Sequence, residues 1–243
     1  MKHNKKDFAL LKTGFCSSIL LTFFTVLAFG FAMIAIPPSG PNCPSNCMNY
    51  PFPDIMSYYP RDYLWMYITV VQLCIYLFFT IATHANAPND RKIFSLSAAA
   101  FALMASIILM VNYWVQFSVV PMSMINNETE GIALLTQYNG HGVFIAIEEL
   151  GFTLMSVSFA FMSRLFKGET RLKKALRRVL PLPFIVVVFA FVIYSIIYGL
   201  DRHYRFEVAA ISINWIVSIV VGILMSLFYR QAMKRQFNSQ IEQ

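Results

Sequence analysis

Residues 14–36 read GFCSSILLTFFTVLAFGFAMIAI, without a charge or a proline and with Leu, Ile, Phe, Val or Ala at most positions. As a helix this run is about 34 Å long, enough to cross roughly 30 Å of hydrocarbon. Apolar runs of similar length recur at 63–85, 93–115, 143–165, 182–200 and 208–229, separated by short polar segments. Working outward from the first run, the sequence predicts an all-α membrane protein. It is a bundle of six transmembrane helices forming one polytopic domain over residues 1–243.

Composition points the same way. The 243 residues are 58% hydrophobic and only 13% charged, with a mean hydropathy of +0.59. A soluble domain of this length cannot hide so much apolar surface in a single core. Lys2, Lys5, Lys6 and Lys12 precede the first run as they would precede a signal peptide, but the run is longer than a signal core and reads as a retained span.

Charge orients the bundle. Of the 19 Lys and Arg residues, only Arg61, Arg202 and Arg205 fall in the segments after the first, third and fifth spans. The rest flank the termini and the other two loops, so the positive-inside rule places both termini in the cytosol, most simply at the cell membrane. The opposite face carries Asp54, Asp62, Glu128, Glu130, Asp201 and Glu207. Tyr58, Tyr59, Tyr63 and Trp65 before the second span, with Tyr113 and Trp114 closing the third, read as interfacial anchors on that face. The net charge of +7 is thus spread over loops as a topology signal and not gathered on a face for nucleic acid.

Cys43 and Cys47 lie in the outer Pro-rich loop, where an oxidising compartment permits a short loop-closing disulfide. Two thiols without neighbouring His do not fill a metal site, and no metal or cofactor is expected. Cys16 and Cys74 read as small apolar residues, and Asn127-Glu128-Thr129 matches the glycosylation sequon on the outer side. On the cytosolic side, residues 172–180 set Leu172, Ala175, Leu176 and Val179 on one helical face and Lys173, Lys174, Arg177 and Arg178 elsewhere. This segment should lie in the interface plane, where a positive-inside anchor accounts for its basic residues, and anionic lipid headgroups or an acidic protein partner are the alternatives that could attract them.

Ionisable residues inside a membrane are costly and mark candidate sites. Glu148 and Glu149 fall in the fourth span, about 10 to 12 Å below the outer surface at 1.5 Å per residue from His141. Gln72, Asn112, Gln116, Tyr194, Tyr198 and Asn214 sit at similar depth in other spans. Several lie on polar or small-residue stripes: Thr69, Gln72, Tyr76, Thr80 and Thr83 in the second span, Ala98, Ala102, Ala105, Asn112 and Gln116 in the third. The fourth carries Glu149, Thr153, Ser156, Ala160 and Ser163, and the sixth Asn214, Ser218, Gly222 and Ser226. Stripes of this kind also simply hold helices together in lipid. Because Glu149 has the polar stripe and Glu148 shares a face with His141, Glu149 is expected to point inward. Apart from Arg164 at the far end of the fourth run, no Lys or Arg lies within a span, so the pair has no visible counter-charge and requires a proton, a cation, His141 or water.

The Glu pair also matches the first two positions of the Glu-Glu-x-x-x-Arg motif of CAAX-type intramembrane proteases, but position 153 is Thr and no further His lies within a span. A rhomboid-like nucleophile and His-Glu-x-x-His are absent, and His84 and His141 fall at opposite ends of their spans, so they cannot share a haem. The reading that remains first is a small transporter or channel-like protein. Its outward polar pocket is lined by Gln72, Asn112, Gln116, Asn214 and His141, walled by Tyr194 and Tyr198, and binds a proton or cationic solute at Glu149 or Glu148. The segment 116–142 would form a lid with a short interfacial helix near 130–137. The alternatives are an accessory or sensory membrane protein that binds a partner or lipid through its basic helix, and, less favoured, a lipid-modifying enzyme. Oligomeric state is not legible.

Overall fold

A computed structural model describes residues 2–35, 38–40, 43–202 and 204–241. These form α1 (Lys2–Ile34), α2 (Leu64–Ala85), α3 (Lys92–Ser118), α4 (Val120–Ile125), α5 (Ile132–Leu135), α6 (Val143–Ser163), α7 (Arg171–Val179), α8 (Leu182–Tyr198) and α9 (Tyr204–Ile241). No strand occurs among the described residues. Six helical segments are long and apolar enough to cross a membrane: Phe8–Ile34, Arg61–Ala85, Asn89–Ile125, Val143–Ser163, Arg171–Tyr198 and Tyr204–Asn238.

Helix boundaries follow local chemistry. Thr170 caps α7 by accepting from the Lys173 amide, Pro183 sits in the first turn of α8, and Gly199 ends α8 at a φ of 59°. Apolar runs understate α1 and α9, which extend through Lys-, Arg- and Gln-containing ends. Those residues are good helix formers, so the helix outlasts its apolar stretch. The extension of α9 carries a correction: Glu207, placed in an outer loop by its charge, lies in the first turn of α9 and is buried. Asp62 is buried as well.

The helices alternate direction. Asn86 donates to the Leu10 carbonyl, Arg91 to the Leu165 carbonyl and Tyr229 to Thr83, which gathers one end of the bundle. At the other end Ser39 donates to the Tyr138 carbonyl at 2.6 Å and pairs with the Tyr204 hydroxyl at 2.9 Å. We call the first the terminal end and the second the cap end. In cross-section α1 packs on α2 and α9, α2 on α3, α3 on α6, and α6 on α9, which closes a ring of five. Outside it, α8 leans on α6 and α9 with only Pro183 and Val187 buried. Across the terminal end, α7 buries Leu176 and leaves Arg177 and Arg178 exposed, as its amphipathic pattern predicts.

Close approach depends on small residues. A Cβ on Gly222 of α9 would stand 2.8 Å from the Ser18 carbonyl oxygen and against Thr22 of α1, and one on Gly151 of α6 would meet Leu109 of α3 at 2.5 Å. Below the middle of the ring, Tyr76, Phe79, Phe152, Met155 and Phe159 are fully buried and fill the space between helices. The cap end is not filled in this way.

Candidate functional site: an acidic cavity with aromatic walls

Between the cap-end halves of α1, α6 and α9 lies a cavity of about 370 Å³. Its position follows from the packing just described. Glycines bring α1 and α9 together toward the terminal end, whereas at the cap end Phe29 and Trp215 meet ring to ring at 5.6 Å and hold the helices apart. Trp65 of α2 contributes a second wall, 6.0 Å from Trp215 and 5.2 Å from Tyr113. Phe144 of α6 adds a third, and Ser39, Tyr138 and Tyr204 cover the cap side.

Two carboxyl side chains reach into this apolar enclosure from α6 and α9. Glu148 is fully buried and accepts from the Tyr113 hydroxyl at 2.6 Å through Oε1. Its Oε2 receives no N–H or O–H among the described residues. Glu207 of α9 lines the same cavity as Glu148 of α6, so the two carboxyl side chains share one enclosure. Glu207, Ile211 and Trp215 recur every fourth residue, so one face of α9 presents all three to the cavity. The indole N–H of Trp215, on a side chain 1% exposed, donates to nothing among the described residues.

A third carboxylate stands nearer the cap surface and is differently served. Asp62 accepts from Arg61 Nε at 2.6 Å and from the Tyr138 hydroxyl at 3.3 Å. Burial, with Tyr63 and the Asp62 carboxylate beside it, holds the Tyr138 phenol well above its ordinary pKa, so it stays a donor. Asp62 therefore has its counter-charge in the neighbouring residue. The residues lining the cavity include no Lys or Arg to do the same for Glu148 and Glu207.

The inward glutamate is Glu148 and not Glu149, a correction with a geometric reason. Adjacent helical positions point about 100° apart. The buried face of α6 runs through Glu148, Phe152, Met155, Phe159 and Met162, so its inner stripe is large and apolar below a single carboxyl. The polar stripe of Glu149 and Thr153 instead turns toward α8, into a separate slot with Val187, Phe191 and Phe206. There Arg202, from the turn after α8, reaches Glu149 at 3.7 Å, and its guanidinium lies 4.6 Å from the Phe191 ring centre. A counter-charge invisible within the spans is supplied by a loop.

The remaining expected pocket residues are used differently. Gln72 donates to Thr25 of α1, Asn112 to the Phe144 carbonyl, Asn214 to the Phe152 carbonyl at 3.1 Å, and Gln116 to the Leu135 carbonyl while accepting from the Gln137 amide. Each fastens one helix or connecting segment to another, and none lines the cavity. Tyr194 and Tyr198 lie on α8 with ring centres 6.0 Å apart, and Arg205 sits 4.2 Å over Tyr198. His141 is exposed at the head of α6. In the loop before α2, Cys43 and Cys47 have their sulfurs 2.11 Å apart in a disulfide, and Asn127 of the sequon is exposed.

The residues that sequence reasoning missed are Glu207, Trp65, Trp215, Tyr138 and Tyr204. The four-residue repeat from Glu207 through Ile211 to Trp215 is the signal in the sequence, but Glu207 stands at the edge of its apolar run, close to Arg205, where an acidic residue reads as part of the loop. No protein-family model, no curated protein and no solved structure matches this chain.

Proposed function

We propose that this chain is a small cation transporter that exchanges a proton for a cationic solute at Glu148 and Glu207. In this reading the cap end faces outward, both termini face the cytosol, and the outer cavity is the loading site of an outward-facing state. The observation that carries it is that two carboxyl groups share a buried cavity lined by no basic side chain. Burial and mutual repulsion disfavour two negative charges there, so the pair calls for a proton, and a cation arriving there can take its place. Tyr113, Glu149 and the more distant Asp62 also bear on the pair, and Tyr204 closes it from the cap.

Orientation is supported by the basic residues near both termini and on α7. In its interfacial position α7 would bring Lys173, Lys174, Arg177 and Arg178 against anionic headgroups of the inner leaflet, with Lys174 already paired to Glu169 at 2.5 Å. Transport further requires the plug of Tyr76, Phe79 and Phe159 to open on the terminal side while the cap closes.

The test is charge movement on a solid-supported membrane. A pH jump across purified protein in liposomes is expected to give a transient current in the wild type that is lost in the Glu148→Gln, Glu207→Gln double variant. An unchanged current in that variant removes the pair from the mechanism. Isolation instead with a stoichiometric protein partner and no pH-driven current would favour the accessory reading, for which the exposed basic face of α7 is the structural basis.

A further inference from the structure

Resting on the reading of Glu148 and Glu207 as a cation site, we infer that the solute is an amphiphilic organic cation, an amine or quaternary ammonium with an apolar or aromatic tail. It reaches the cavity from the cap-end leaflet, between α1 and α9. A hydrated or coordinated inorganic ion fits poorly here. Among the described residues no group of three or more His, Cys, Asp or Glu is placed to hold a metal ion, whereas hard cations take six or more oxygen ligands at about 2.0–2.6 Å. The volume of about 370 Å³ lies instead in the range of small organic ligands.

The walls read the same chemistry. Trp65, Trp215 and Phe144 line the cavity with the two carboxyls, and their ring faces attract an alkylammonium, a large and weakly hydrated cation. The unpartnered indole N–H of Trp215 is a second, independent sign of a missing ligand. It is buried, it lines the cavity, and it offers a donor to an ether, hydroxyl or carbonyl oxygen on the same molecule.

Access is argued from the rim. The cavity is bounded on one side by Met33 of α1 and Val208 of α9. These side chains are 73% and 43% exposed, and both lie in segments apolar enough to sit in lipid. On the cap side the segments carrying Ser39, Tyr138 and Tyr204 are knitted together by hydrogen bonds, and Gly40, at a φ of 71°, packs directly against the Tyr204 ring. A solute that partitions into the bilayer therefore meets an opening between two helices, while one approaching from water meets a fastened cover.

The experiment uses the full chain in nanodiscs and reads tryptophan fluorescence and isothermal titration with benzyltrimethylammonium, its neutral isostere neopentylbenzene, tetramethylammonium, sodium and potassium. Saturable binding of benzyltrimethylammonium is expected, at least tenfold tighter than either the neutral isostere or tetramethylammonium, and weakened at least tenfold by Glu148→Gln. Met33→Trp, on the 73% exposed rim, is expected to slow association at least fivefold. If Glu148→Gln does not purify, the isostere comparison on the wild type carries the test alone. Equal binding of neutral and charged isosteres, or saturable sodium or potassium binding without organic-cation binding, overturns the inference. If the pH-jump current persists while no organic cation binds, the proposed transporter reading survives and this inference fails. If both are absent, both fail.

Discussion

The crossing of α1 and α9 sets the lateral side of the cavity, and a paired glycine substitution tests it. A methyl group on Gly222 would stand 2.8 Å from the Ser18 backbone carbonyl and press on Thr22, whereas one on Gly30 meets nothing within 4 Å. Both glycines lie inside helices, so Ala improves helix propensity at each by up to about 1 kcal/mol. At Gly222 the neighbour is partly backbone and cannot swing away, which puts the overpacking cost at the upper end of the usual range, about 3 kcal/mol. The expected net effects are a loss of about 2 kcal/mol for Gly222→Ala and a gain of up to about 1 kcal/mol for Gly30→Ala. The two variants should thus differ by about 3 kcal/mol, or roughly 100-fold in folding equilibrium. Steric trapping in bicelles, which reports reversible unfolding without leaving lipid, gives both numbers under one condition. Equal stability of the two variants would falsify the helix crossing described here, and with it the location of the cavity opening.

Tyr113→Phe removes the hydroxyl that donates to Glu148 Oε1 at 2.6 Å. With a buried carboxylate oxygen left unserved at about 1.5–3 kcal/mol, benzyltrimethylammonium should bind roughly 10- to 100-fold more weakly by calorimetry. Arg202→Ala strands Glu149, and a double-mutant cycle with Glu149→Gln should return a coupling of about 1 kcal/mol in thermal or chemical unfolding, modest because both partners remain partly exposed. Alkylation of the unreduced protein followed by mass spectrometry should label Cys16 and Cys74, both on outward-facing surfaces, and spare Cys43 and Cys47 until a reductant is added. The Tyr138 phenol, pushed up by burial, stays protonated in the folded protein while its unfolded counterpart ionises above about pH 10. Its contribution is therefore complete below that pH and falls as pH rises past it. Tyr138→Phe should flatten the alkaline limb of the stability profile, and an unchanged limb would remove the assignment.

Six long apolar helices and their alternation were written in the chain itself, because a helix that crosses about 30 Å of lipid needs some 20 mostly apolar residues and the polar segments between such runs stand out. The amphipathic α7 and the one-turn α5 in the segment before α6 were legible for the same local reason, as were the stripes of α2 and α3, whose residues are buried as the spacing requires. Which carboxyl faces inward was not. Glu148 and Glu149 differ by one helical step, and the choice between them was decided by what packs on each side: large side chains on α3 and α9 for one, the arginine of a loop 53 positions away for the other. Glu207 escaped because it stands at the edge of its apolar run, where a carboxylate reads as a boundary, although packing against other helices can draw it inside. Asn112, Asn214 and Gln116 looked like a pocket because an amide that fastens two helices and an amide that binds a solute are the same residue at the same depth. Only contact between helices distinguishes them, and that is a property of the tertiary structure, since each helix presents all its faces equally until its neighbours cover some of them.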